Sequence, residues 1–288
     1  MRLLMALMCL VTFAVPAAER VVAFDVPEWH QPTPPLHIAG PIYYVGTKDL
    51  AVYLIVTPAG HIMLDGGVPG TEPLIEASIR QLGFDPHDIH QLIISHAHFD
   101  HVGTLAYFRK LTQAPLAVMA PDDELLKSGG RADYLYADLQ AFHFQPVTAD
   151  RVLKDGDTVT LGNVTMTARH TPGHTRGCTT WVMNVSDGGS NYRVVFAGST
   201  SVNPGTHLLH APSYPGIADD YRRSFEVLAS LQPDLFLSAH ASFFNFAAKR
   251  ELAISEGVKA FVDPQGYASA NNAKRAAFEA LIAKEGQQ

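Results

Sequence analysis

His96, His98, Asp100 and His101 fall within six consecutive positions of the segment SHAHFDHVG, residues 95–103. Four titratable side chains this close are hard to pack without a common partner, and lone pairs at fixed short range are what a metal ion binds. His96 and His98 are two apart and can point the same way in an extended segment, while Asp100 and His101 follow the turn and can point to a neighbouring spot. One short loop can therefore feed two metal ions. Neither ion is complete with these ligands, so any fold of this chain must bring more of them from a distance. His174 follows the Pro-Gly turn of HTPGHTRG (170–177), and His240 closes the apolar run PDLFLSAH (233–240). Five histidines and one aspartate, divided three and three, leave each metal an open position. That is the catalytic pattern, since a structural zinc is normally closed by four ligands, commonly Cys. Of the other histidines, His30, His37, His61, His87, His90, His143, His207 and His210 read as solvent-facing or hydrogen-bonded within the fold, and His170, closer to the motif, as structural or as a support to the ligands.

The surrounding pattern predicts how the ligands are carried. Residues 42–67 alternate apolar runs with turn residues, with Val52, Leu54 and Val56 on one face and a turn at TPAGH, which predicts antiparallel strands. TEPLIEASIRQLG (71–83) has helical spacing between Pro73 and Gly83. QLIIS (91–95) is a short buried strand, so the histidine cluster begins where a strand ends. VTMTARH, CTTWVMNV and YRVVFAGS predict further strands, ADDYRRSFEVLASLQ a helix, PDLFLSAH a strand ending in His240, and NNAKRAAFEALIAKEG the last helix. Strands, a helix and strands again, twice over, predict an α/β chain of two packed sheets with helices outside. No linker-like stretch divides the halves, so residues 19–288 are expected to form one domain.

Composition narrows the partners. The chain of 288 residues is 47% hydrophobic and 17% charged, with a net charge of −7 and no Lys/Arg run, which argues against a nucleic-acid partner. Residues 1–18 read as a signal peptide: Arg2, an apolar run from Leu3 to Val15, then small residues before cleavage after Ala17 or Ala18. The run is shorter than the roughly 20 residues a membrane span needs. The expected product is soluble and periplasmic, without a stable membrane anchor. Cys9 would leave with the leader, so Cys178 has no intrachain partner and reads as a small buried core residue.

HAHFDH, TPGHT and a late histidine together resemble the metallo-β-lactamase superfamily. The resemblance covers nearly the whole chain after the leader. It implies a four-layer αβ/βα sandwich, its two sheets mainly antiparallel to mixed with helices outside, and two zinc ions per chain at the sandwich edge. Many hydrolases of the superfamily carry a metal-bridging aspartate in a motif resembling FTGDT. Here the stretch is FAGST (196–200), with Ser199 at that position. Ser199 together with His101 resembles subclass B3, as do LLKSGGRADY (125–134), LIVTPAGHIMLDGG and HTPGHTRGCTTW. By this resemblance His96, His98 and His174 would hold the first zinc, and Asp100, His101 and His240 the second. Asp100 would also orient a metal-bound hydroxide, and Ser199 and Ser201 would help hold a substrate carboxylate. The implied activity is hydrolysis of the amide bond of a small-molecule β-lactam by a monomer, giving antibiotic resistance. The alternatives are a dizinc hydrolase of another ester, lactone or thioester, and an exported metal-binding protein without turnover. A serine β-lactamase is disfavoured because no S-x-x-K pattern stands in a suitable context. Tyr134, Tyr136, Phe142 and Phe144 are candidates for the substrate wall or for ordinary core, and Gly66, Gly67, Gly129, Gly130 and Gly173 for tight turns that aim the ligands.

Overall fold

The computed structural model describes residues 26–287, so the leader expected over residues 1–18 lies outside the described residues. The first sheet runs in chain order: β1 Leu36–Ala39, β2 Ile42–Tyr44, β3 Tyr53–Thr57, β4 Gly60–Leu64, β5 Ile89–Ile93, β6 Leu116–Met119 and β7 Arg151–Leu153. β1 to β4 form an antiparallel meander, and β4 to β7 are parallel. Parallel neighbours need crossovers. These are α1 (Glu72–Gln81), then the one-turn α2 (Phe99–Val102) with α3 (Leu105–Thr112), then α4 (Ala120–Ser128). The second sheet has the order β12-β11-β10-β9-β8. β8 (Thr158–Leu161), β9 (Val164–His170), β10 (Thr179–Asp187) and β11 (Ser190–Ala197) are antiparallel, and α5 (Ile217–Leu231) carries the chain to β12 (Leu235–Ser238), parallel to β11. The helices α6 (Phe246–Glu256) and α7 (Pro264–Glu285) follow.

The inner strands β3, β4 and β6 are buried on both faces, which is why they read as nearly unbroken apolar runs. Their period of two still sorts them. Tyr53, Ile55, Ile62, Leu64 and Ile93 face the second sheet, against Trp181, Met183 and Phe196. Val52, Leu54, Met63 and Leu92 face outward under Ile75 and Ile79 of α1 and Leu105 and Phe108 of α3. Each fully buried Leu or Ile contributes roughly 1.5–3 kcal/mol by leaving water. A third cluster joins Tyr221 and Phe225 of α5 to Phe278 of α7 on the far side. The layers are therefore helix, sheet, sheet, helix, as expected. Trp181 ties the sheets together: buried at 1% exposure, its Nε1–H donates to the Ile94 carbonyl at 2.8 Å.

Several boundaries differ from the sequence expectation. β5 starts at Ile89 and stops at Ile93, because Ser95 turns away to bond Asp65. β12 stops at Ser238, two residues before His240, which instead precedes the short 3-10 turn Ala241–Phe244. α7 begins seven residues earlier than 271, at Pro264, where the Asp263 carboxylate accepts from Gly266 N–H at 2.8 Å and caps the first turn. Cys178 is fully buried, its thiol donating to the Ser199 carbonyl at 3.3 Å, and burial pushes its pKa up.

Candidate metal centre

The loops after β5, β9, β11 and β12 meet at one edge of the sandwich. From β5 the chain enters extended backbone, with His98 at φ −90° and ψ 153°, and then winds into α2, which holds Asp100 and His101. This change of backbone sends His96 and His98 one way and the other pair beside them. His174 is aimed by Gly173, whose φ of +135° is open to glycine and whose added Cβ would stand 2.8 Å from the Tyr221 ring. His240 arrives past the end of β12. Thus all six expected ligands converge, from three strand ends, and the loop after β11 adds Ser199 and Ser201 beside them.

Two groups have ligand atoms within 4.8 Å of one another: His96, His98 and His174, and His96, Asp100 and His101. The first is the expected first trio. The second contains His96 in place of His240. His240 stands at the rim of that group, its Nε2 3.6 Å from Asp100 Oδ2 and its ring 5.0 Å from that of His101. Asp100 Oδ2 is also 3.3 Å from His101 Nε2.

Four of the five imidazoles are tethered through one nitrogen, which leaves the other for the centre. His96 Nδ1 lies 3.0 Å from Ser95 Oγ, which itself donates to Asp65 Oδ2 at 2.7 Å. His98 Nε2 is 3.2 Å from Asp133 Oδ2. His174 Nδ1 donates to the Ser201 carbonyl at 2.8 Å, and His240 Nδ1 is 3.2 Å from Asp49 Oδ2. Tethers of this kind fix the tautomer and ring direction of a metal ligand. With them in place, the lone pairs of His98 Nδ1 and His174 Nε2 face each other at 3.2 Å. Two facing lone pairs repel unless a cation or proton stands between them. Buried His96 Nε2 has no hydrogen-bond partner, while the ring nitrogens of His101 face only carboxylates, Asp100 at 3.3 Å and Asp65 at 3.6 Å. An unpaired buried polar atom costs free energy that coordination would recover. The donor set therefore fits metal ions, and nitrogen with carboxylate oxygen suits zinc.

Electrostatics agree. Burial and the neighbouring histidines push His96 well down, and burial with His98 pushes His174 down to about 3, so both are neutral donors at physiological pH. Burial alone would lower His101, yet the Asp100 and Asp65 carboxylates beside it push it up to about 10. These carboxylates demand a positive charge at that point, which a metal would supply while displacing the proton. Burial would raise Asp100, but His101 and His240 hold it below the usual carboxylate range.

Asp49, Asp65, Ser95, Asp122 and Asp133 were not picked out by spacing. Asp122, 1% exposed, accepts from Ala97 N–H at 2.9 Å, Gly177 N–H at 2.7 Å and Thr175 Oγ at 2.8 Å, stapling the β5 loop to the His174 loop. The available signal was weak: Asp65 ends an apolar run in IMLDGG, where a buried carboxylate needs a partner, and it adopts φ +64°.

A cavity of about 260 Å³ opens onto the centre, walled by Trp29, Tyr136, Phe142 and Phe243 and floored in part by Ser199 and Ser201. Tyr136 and Phe142 thus serve the wall and the core together, stacked at 4.1 Å. Phe144 is core, and Tyr134 instead donates toward the Gly173 and His174 carbonyls at 3.1 Å. Ser199 is 3% exposed and its Oγ accepts from Ser201 N–H at 3.3 Å.

Residues 48–240 match the family model of the metallo-beta-lactamase superfamily. A probable metallo-hydrolase of Burkholderia pseudomallei is 29% identical over 144 residues, covering 49% of this chain and 48% of that protein. A hydroxyacylglutathione hydrolase of Rhodopseudomonas palustris is 30% identical over 163 residues, covering 57% and 52%. The chain spans about half the length of these curated relatives. Solved structures align further. The native FEZ-1 metallo-beta-lactamase of Legionella gormanii is 43% identical with a TM-score of 0.87, covering 90% of this chain and 98% of that one. BJP-1, a subclass B3 metallo-beta-lactamase of Bradyrhizobium japonicum, is 35% identical with a TM-score of 0.85, covering 90% and 97%.

Proposed function

The chain belongs to the metallo-β-lactamase superfamily, and from that premise we propose that it hydrolyses the amide bond of β-lactam antibiotics with two zinc ions and so confers resistance. The observation that carries the choice within the superfamily is Ser199. It lines the cavity at the position where a bridging carboxylate would stand, and its hydroxyl is engaged by Ser201 N–H. A serine there cannot bridge two metals as an aspartate does, which disfavours the thioesterase and lactonase pattern. The extent of the match to solved β-lactamases supports the same reading.

In this reading His96, His98 and His174 hold one zinc, and Asp100, His101 and His240 the other. Zinc bound there supplies Lewis-acid chemistry, lowering the pKa of a water to about 7 and polarising the amide carbonyl. The ionised Asp100 accepts a hydrogen bond from the attacking water and orients it. Hydrolysis adds that water across the lactam C–N bond, its oxygen to the acyl carbon and its proton to the nitrogen. Ser199 and Ser201 receive the substrate carboxylate, while Trp29, Tyr136, Phe142 and Phe243 cover the apolar parts and exclude bulk water. The protein acts as a periplasmic monomer after removal of residues 1–18. Among the described residues no helix is long and apolar enough to cross a membrane.

The likeness to hydroxyacylglutathione hydrolase favours one rival, a thioesterase or related ester hydrolase. One experiment separates them. The chain from residue 19 onward is assayed on a chromogenic cephalosporin, a carbapenem, a lactone and a glutathione thioester, as isolated, after a chelator, and after zinc is restored. β-Lactam turnover that vanishes with chelator and returns with zinc is the expected result. Turnover confined to the lactone or thioester would overturn the proposal.

A further inference from the structure

Ser201 is the most heavily engaged residue at the cavity floor. Its carbonyl accepts from His174 Nδ1 at 2.8 Å and from Tyr221 OH at 2.9 Å, and its N–H reaches Ser199 Oγ. Its side chain is held from outside the loop: Lys274, in the middle of α7, donates from Nζ to Ser201 Oγ at 2.8 Å. The same ammonium lies 4.4 Å from the centre of the Phe243 ring, and Phe243 with Ser201 lines the cavity. Such a position over an aromatic face is attractive for a cation.

Two features make this lysine unusual. Among the described residues no carboxylate lies within salt-bridge distance of it, whereas the buried lysine of α6, Lys249, stands 2.9 Å from Asp263. Lys274 is itself only partly exposed, and burial lowers its pKa. A partly desolvated cation without a counter-ion is costly unless something anionic completes it. The hydroxyl it touches is also constrained. A serine oxygen that accepts from an ammonium must send its own proton elsewhere. The polarised Ser201 O–H is then a strong donor for an anion in the cavity.

We propose that Lys274 is the residue that makes the site select carboxylate-bearing substrates, by fixing Ser201 as a donor and supplying the positive charge behind it. This rests on the reading of the site as one for anionic β-lactams. Lys274 is a positioning and specificity-determining residue, and its side-chain contacts are to Ser201 and Phe243, not to a candidate metal ligand.

The test compares zinc-loaded wild-type protein with Lys274→Met, Lys274→Gln and Lys274→Arg, after zinc content and melting temperature are measured for each. For a cephalosporin with a free carboxylate, KM is expected to rise about tenfold in Lys274→Met and Lys274→Gln with kcat within about twofold, the scale of one charge-assisted hydrogen bond. For the methyl ester of the same cephalosporin neither constant should move, and Lys274→Arg should recover most of the loss. A lysine that only ties α7 to the loop would harm acid and ester alike, and that result, or an unchanged KM, would overturn the proposal. A second readout needs no turnover: calorimetric titration with β-mercaptopropionate and with its methyl ester. Wild-type protein should prefer the acid by about tenfold and Lys274→Gln should not. If wild-type protein turns over no β-lactam, the functional reading falls, and the acid-over-ester preference of this thiol pair alone decides for or against Lys274.

Discussion

The two sheets serve the candidate metal centre in opposite ways. The first delivers His96, His98, Asp100 and His101 from six consecutive residues after one strand, each no more than 8% exposed. The second delivers His174, Ser199 with Ser201, and His240 after three different strands, and each histidine has its own tether: the Ser201 carbonyl for one, Asp49 for the other. His240 is also the more open, its side chain 14% exposed. Ligands that share one loop share one backbone and one staple, Asp122, so a disturbance to one reaches the others. Ligands that arrive singly can be weakened singly. The first sheet builds the centre, and the second completes it in separable steps.

The largest effect is therefore expected at the residue common to both compact groups. His96→Ala should remove the first zinc, weaken the second through the loop it shares with Asp100 and His101, and lower kcat by about a thousandfold or more, since a metal supplies several kcal/mol and each 1.4 kcal/mol is about tenfold. Metal analysis with steady-state kinetics checks this, and retention of one zinc with substantial turnover would break the contrast. His240→Ala should be milder, keeping the first zinc and weakening the second by at least about a hundredfold. Wild-type zinc content and rate in that variant would show that the ligand assignment is wrong. The outer carboxylates sharpen the comparison further. Asp133→Asn should weaken zinc at the group containing His98, and Asp49→Asn at the group containing His240, each by about 10–100-fold. Competition against a chromogenic chelator would resolve two affinities, and identical effects on both would dissolve the distinction.

The smallest effect concerns an ion pair away from the centre. Burial would raise Asp263, but the Lys249 ammonium 2.9 Å away holds it below the usual carboxylate pKa. A depressed folded-state pKa adds stability above the unfolded value near 4, lost as pH falls through the folded value. Wild-type protein should thus hold its advantage over Asp263→Asn at neutral pH and lose it in acid. Asp263 is a third exposed, so the part due to the pair should stay below about 1 kcal/mol. Denaturant melts across pH 3 to 7 measure it, and a gap that widened in acid would contradict the assignment.

What could be read from the sequence follows the same division. The cluster at 96–101 was legible because four side chains able to ligate a metal seldom crowd one short loop. His174 and His240 were legible only through their place after strands, and the strand before His240 ends two residues earlier than its apolar pattern suggests. Asp49, Asp133 and Lys274 were not legible, since an isolated charged residue on a loop or helix carries no sign of what the fold will set beside it. Lys274 meets Ser201 across 73 residues. The start of α7 was missed because PQGYASA lacks an apolar period, and its helix rests on the Asp263 cap and Tyr267 packing.

The chain has two tryptophans, and the fold places them at different events. Trp29 stands at the cavity mouth 5.9 Å from the His240 ring, whereas Trp181 lies sealed between the sheets. Their fluorescence therefore divides into two channels. Emission from Trp29 follows what enters or leaves the open side of the centre, and emission from Trp181 stays dark to that traffic until the sandwich itself comes apart. A single variant lacking Trp29 would turn the protein into a one-colour gauge of sheet separation.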